Sequence, residues 1–147
     1  MVKRRLHPKQ FFTKEEKDRI IRLIRDAESK TSGEIRVYLE HKSKDELMSR
    51  AKKVFEKIGM TKTKHRNGVL IYFSLHERSF AILGDKGIHE KVRDNFWKDI
   101  VSKMQVSFSR DDFAGGLEAG IQEIGKNLKA YFPRETEDIN ELPDEIS

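Results

Sequence analysis

Apolar positions recur along this chain with two periods, near 3.6 in some stretches and 2 in others, and each switch marks the border of an element. Thr13-Lys14-Glu15-Glu16 reads as a capping box, in which the Thr13 hydroxyl accepts from a backbone N–H three residues on and Glu16 reaches back. Ile20, Ile21, Leu23, Ile24 and Ala27 follow at helical spacing, with Phe11 and Phe12 before the cap as a hydrophobic staple. A helix is predicted from about 14 to 30. Thr31-Ser32-Gly33 breaks it. The run 34–40 then alternates, with Ile35, Val37 and Leu39 on one face and Tyr38 on the other, which predicts a strand. Ser43-Lys44-Asp45-Glu46 repeats the capping box ahead of Leu47, Ala51, Val54, Phe55 and Ile58. Gly59 suits the left-handed position after a helix from about 44 to 58.

Beyond Asn67-Gly68 the run 69–75 is apolar on both faces, the mark of a central strand covered on both sides. The short polar His76-Glu77-Arg78 leads into a returning strand over 79–83, so these two form a hairpin. The strand, helix and strand before it form a βαβ unit with parallel strands. From Glu90 a long amphipathic stripe runs through Val92, Phe96, Trp97, Ile100, Val101, Met104 and Phe108. Ser109 is the predicted cap of a last helix with the stripe Phe113, Leu117, Ile121, Ile124, Leu128 and Tyr131, ended by Pro133. Gly115, Gly116, Gly120 and Gly125 inside it each cost about 1 kcal/mol against alanine, and close packing is expected to compensate.

The order α-β-α-β-β-α-α predicts an α/β fold, a three-layer α/β/α sandwich around a small mixed sheet. It divides the chain into a basic N-terminal segment (1–12), a single α/β domain (13–133) and an acidic tail (134–147) expected to be flexible.

Composition narrows the chemistry. The 147 residues suit one domain. There is no cysteine, so disulfides, zinc–thiolate sites and thiol catalysis are excluded. No run of about 20 apolar residues exists, which predicts no membrane span, and no apolar stretch follows the basic start as in a secretory signal. The expected location is the cytoplasm. Thirty basic and 25 acidic side chains leave a net charge of only +5, which a solvated surface accounts for without nucleic acid.

Four blocks, in this order, resemble the TPM domain family: 31–37 (TSGEIRV), 66–72 (RNGVLIY), 78–88 (RSFAILGDKGI) and 112–117 (DFAGGL). The resemblance spans about residues 11 to 133. It implies a sheet flanked by helices, calcium binding in some members and acid-phosphatase activity in some. The place before the Asn-Gly pair, often acidic in the family, is Arg66 here, and no signal peptide or membrane anchor is expected.

With two parallel strands and a third running back, the starts of the first two meet the end of the third. That gathers Glu34, Asn67 and Asp85 at one edge of the sheet, where the 84–87 loop is expected to bend on its glycines. Asp112 joins them if the last helix packs nearby. Carboxylate and amide oxygens suit a hard cation, so these four are the expected ligands of calcium or magnesium, with no organic cofactor. Lys64, His65, Arg66 and Lys86 near the same edge could face phosphoryl oxygens, but no P-loop, HExxH or nucleophile elbow accompanies them. Residues 84–87 (GDKG) have the GXXG form of the KH-domain loop, but Asp85 opposes phosphate there, and no nucleic acid is expected as a partner. His7, His41, His65, His76 and His89 are not at metal-pair spacings and read as exposed loop histidines, with His41 and His76 near the sheet edge opposite Asp85. The expected function is a divalent-cation (calcium) binding module of regulatory or unknown role. The alternatives are a metal-assisted acid phosphatase, with no catalytic residue assigned, and a protein-interaction domain without metal.

Overall fold

The computed structural model describes residues 4–92 and 96–135. Its elements are α1 (Lys14–Glu28), β1 (Glu34–Glu40), α2 (Leu47–Lys57), β2 (Gly68–Ser74), β3 (Ser79–Gly84), α3 (Lys86–His89), α4 (Lys98–Ser109) and α5 (Phe113–Tyr131), with a single 3-10 turn at Met60–Lys62. The sheet has the order β1-β2-β3. β1 and β2 run parallel, with Glu34 opposite Gly68, and β3 returns antiparallel, with Gly84 opposite Val69. The α/β architecture, the parallel pair and the hairpin are those the periodicity predicts.

Alternation along the strands builds two cores. Ile35, Val37 and Leu39 join Val69, Ile71 and Phe73 beneath α1, α4 and α5. Leu70, Tyr72 and Ala81 pack on the other face against Ala51, Val54 and Phe55 of α2, with Tyr38 alongside. Every residue of β2 is buried, as expected of a central strand covered on both sides. Each fully buried aliphatic or aromatic side chain contributes about 1.5–3 kcal/mol relative to an exposed one.

The element borders show where tertiary contacts override local signals. Thr13 and Glu16 do form the capping box of α1. That helix stops at Glu28, not near 30, because Lys30 N–H folds back to the Ala27 carbonyl in a tighter turn. Ser43 does not cap α2. Its N–H is bound by the Ser74 hydroxyl and the Glu77 carboxylate, and its own hydroxyl donates to the Asp45 carbonyl. Glu46 caps instead, accepting from Met48 and Ser49 N–H, so α2 begins at Leu47. Ser109 turns back to the Val106 carbonyl, and the cap of α5 is Asp112, which accepts from Gly115 N–H. Phe11 and Phe12 are more than a staple: both are buried in the main core, with Phe11 against Phe73 and Phe113.

The glycines of α5 sit where helices touch. A Cβ on Gly116 would run into the Phe108 ring of α4, one on Gly120 would lie 2.6 Å from the Met104 sulfur, and one on Gly125 would lie 2.6 Å from Ala27 of α1. Close packing is the observed compensation for their helix cost.

The domain extends N-terminally to Arg4. Its guanidinium donates to both Glu16 oxygens at 2.7 and 2.8 Å and lies over the Phe11 and Phe12 rings. At the far end of the described chain, Pro133 pairs with Thr31 in an isolated antiparallel bridge. The acidic tail from 136 onward lies outside the described residues, as do 93–95 within the predicted amphipathic stripe.

Candidate functional site at the start of the sheet

The register brings Glu34 and Asp85 to flank Gly68, and Asp85 N–H donates to the Gly68 carbonyl at 3.0 Å. Asn67 is the residue before. The starts of β1 and β2 and the end of β3 therefore meet at one pole of the molecule, as the topology predicts. Glu34, Asn67 and Asp85 are 3%, 0% and 6% exposed.

Asp112 is not among them. It begins α5 at the opposite pole, next to Asp111, whose carboxylate pairs with Arg78 in the β2–β3 turn at 3.2 Å. The five residue steps of β3 alone separate the two poles by about 17 Å. α5 runs from the hairpin to the sheet start, where Thr31 donates to the Leu128 carbonyl.

What Asp85 meets is Arg66. The guanidinium grips the carboxylate with both arms, Nε to Oδ2 at 2.6 Å and Nη2 to Oδ1 at 2.9 Å, the fork geometry of a strong charge-assisted pair. Asp85 Oδ1 also accepts from Lys86 N–H at 2.8 Å and so starts α3. Residues 84–87, expected as an open glycine loop, are thus a strand end and a helical turn, and neither glycine has a left-handed φ; among described residues only Gly59 does. Gly87 is there for contact: its N–H donates to the Arg66 carbonyl at 2.8 Å, and a Cβ would strike the His65 carbonyl.

Arg66 reaches Asp85 from a backbone at φ 50°, in the left-handed region that L-residues avoid. The next residue is held too: Asn67 N–H donates to Thr63 Oγ1, its Nδ2 donates to Ser32 Oγ, and its Oδ1 is buried without a hydrogen-bond partner. Glu34 has the strand parity of Tyr38, which packs on the α2 side. Lys64 and His65 lie 3.7 and 2.7 Å from Glu135. Beside them runs a cleft of about 420 Å³ whose walls include Ser32, Gly87, Lys91, Phe132 and Arg134.

These residues fit a calcium ion poorly. Calcium takes about six to eight oxygens, and both oxygens of Asp85 already serve a guanidinium. Among the described residues, no three His, Asp or Glu side chains converge on one point in a way that could hold a metal.

Sequence reasoning named Arg66 as basic but could not pair it with Asp85, since the two lie 19 residues apart. It also missed a partly buried network on the α2 face. Glu40 accepts from Arg50 at 2.9 and 2.7 Å and from the Tyr72 hydroxyl at 2.6 Å. The Arg50 hydrogen bond holds the Glu40 carboxyl below its ordinary range against the opposing effect of burial, and burial first, then Glu40, pushes the Tyr72 hydroxyl up.

A three-stranded mixed sheet with α2 on one face and three helices on the other, holding an Arg–Asp clasp where its strands meet, defines a small α/β domain. The chain belongs to the TPM domain family, whose model matches residues 7–127. It is similar to the BA42 protein of the psychrophilic bacterium Bizionia argentinensis, solved by NMR. The two are 46% identical, with a TM-score of 0.88 over 93% of this chain and 94% of that one. Comparison with curated proteins finds no match. No described helix is long and apolar enough to cross a membrane.

Proposed function

We propose that this chain is a non-catalytic TPM-type binding module, a protein-interaction domain in which Arg66 supplies from within the positive charge that a calcium reading assigns to a metal. The observation that carries this is the bidentate Arg66–Asp85 clasp on a strained backbone. Arg78 and Asp111 also have a left-handed φ, so what distinguishes Arg66 is its two-armed hold on a carboxylate that is only 6% exposed. The clasp also bears against phosphate-ester hydrolysis, because the guanidinium best placed to meet phosphoryl oxygens is committed to Asp85.

Thermal unfolding of chelator-treated protein with and without calcium tests the reading. A ligand at 100-fold its dissociation constant adds about 2.7 kcal/mol when it binds only the folded state, which is several degrees for a domain of this size. The wild-type midpoint is expected to stay put at millimolar calcium. The Arg66→Ala variant, with Asp85 released, is expected to gain a calcium-dependent rise. A rise in the wild type that Asp85→Ala abolishes would overturn the reading and restore the calcium module.

A further inference from the structure

At the hairpin pole, far from Asp85, two histidines from neighbouring strand ends stand side by side. His41 follows β1 and His76 follows β2, and His76 N–H donates to the His41 carbonyl at 2.8 Å. Both side chains are exposed. Their ring centroids are 6.1 Å apart with planes 36° from parallel. Thirty-five residues separate them in sequence, and parallel strand register alone brings them together.

His41 is prepared beyond its position. Its Nδ1 lies against the Leu6 carbonyl, which has lone pairs and no proton. Nδ1 must therefore carry the hydrogen, and the Nε2 lone pair is left for another partner. A backbone carbonyl holding one ring N–H is the arrangement that fixes tautomer and orientation in metal-binding histidines. His7, the next residue along, is set the opposite way: its Nδ1 accepts from Lys9 N–H, so Nε2 holds the proton.

We propose that His41 and His76 form a two-histidine site for a borderline transition-metal ion such as zinc, nickel or copper. Imidazole nitrogens select these ions over calcium and magnesium, which take oxygens. Metal–nitrogen bonds of about 2.0–2.1 Å in tetrahedral geometry bring two ring centres to about 5 Å, so rotation of two exposed rings by about one ångström closes the gap. Water fills the remaining positions. A bound ion staples the ends of β1 and β2 to each other and, through Leu6, to the N-terminal segment.

The test is calorimetric titration of the tag-free full chain with zinc and with nickel, against the exposed-site variants His41→Gln, His76→Gln and His7→Gln, each checked for its fold by circular dichroism. The expected result is one saturable equivalent in the wild type and in His7→Gln, lost at least tenfold in affinity in each of the other two, and unaffected by excess calcium. Absence of binding, or binding that survives either His41→Gln or His76→Gln, overturns the proposal. Asp85→Ala should bind zinc as the wild type does, so this result stands or falls separately from the reading of the Asp85 pole.

Discussion

Arg66 is asked to do two things that conflict. Its side chain must reach Asp85 in fork geometry, and its backbone must take a φ of 50° to get there. Glycine would satisfy the second demand and forfeit the first. Comparing Arg66→Gly with Arg66→Ala therefore separates them: both release Asp85, but only alanine keeps the left-handed strain. The glycine variant is expected to melt a few degrees above the alanine variant, read by calorimetry. Equal midpoints would mean that the backbone relaxes once the clasp is gone. This residue also shows where sequence reading stops. Asp85 and Asn67 were legible as candidates because acid and amide residues beside glycines at strand ends have few uses. Their partner was not, because the pairing depends on a turn whose direction no periodicity encodes. Asp112 failed for a related reason: an acid at the start of a helix looks the same whichever pole that helix starts from.

Among the elements, strands were the most legible, since period two and a uniformly apolar central run have one architectural meaning. Caps were the least. Ser43 and Glu46 competed for the start of α2, and Ser74 at the end of β2 and Glu77 in the turn after it decided it. The glycines of α5 and α3 carry a graded prediction. In Gly87→Ala the new methyl meets backbone carbonyls that cannot retreat. In Gly116→Ala it meets the Phe108 ring, itself wedged among Phe73, Phe80 and Phe113. In Gly120→Ala it meets a flexible methionine. Overpacking costs about 1–3 kcal/mol, with the gain in helix propensity offsetting about 1 kcal/mol in α5. Urea unfolding should rank Gly87→Ala as most destabilised, Gly116→Ala next and Gly120→Ala near wild type.

For the whole molecule, acid stability follows from two carboxylates on opposite faces of the sheet. Glu16 is held below its ordinary range chiefly by its hydrogen bond to Arg4, and Glu40 by its bond to Arg50. When the folded-state value is the lower one, the unfolded chain binds more protons through the window between the two, so stability rises with pH there. It is fully present above the unfolded carboxyl value of about 4.3 and is lost as pH falls through the folded value. Glu40→Gln should flatten the fall of the melting midpoint below about pH 4.5. Because Glu40 and Arg50 are only 18% and 17% exposed, the same variant should cost about 1–3 kcal/mol at neutral pH. A pH profile parallel to that of the wild type would place the acid sensitivity elsewhere.

The described chain arrives and departs at opposite poles. Leu6 crosses beside His41 where the strands end, and Pro133 closes on Thr31 where they begin. The described chain therefore begins near the histidine pair and ends near the Asp85 clasp. A label placed at Leu6 would report on the histidine pole, and one placed at Pro133 on the pole of the Asp85 clasp, so the two ends of the sheet can be watched separately in one protein.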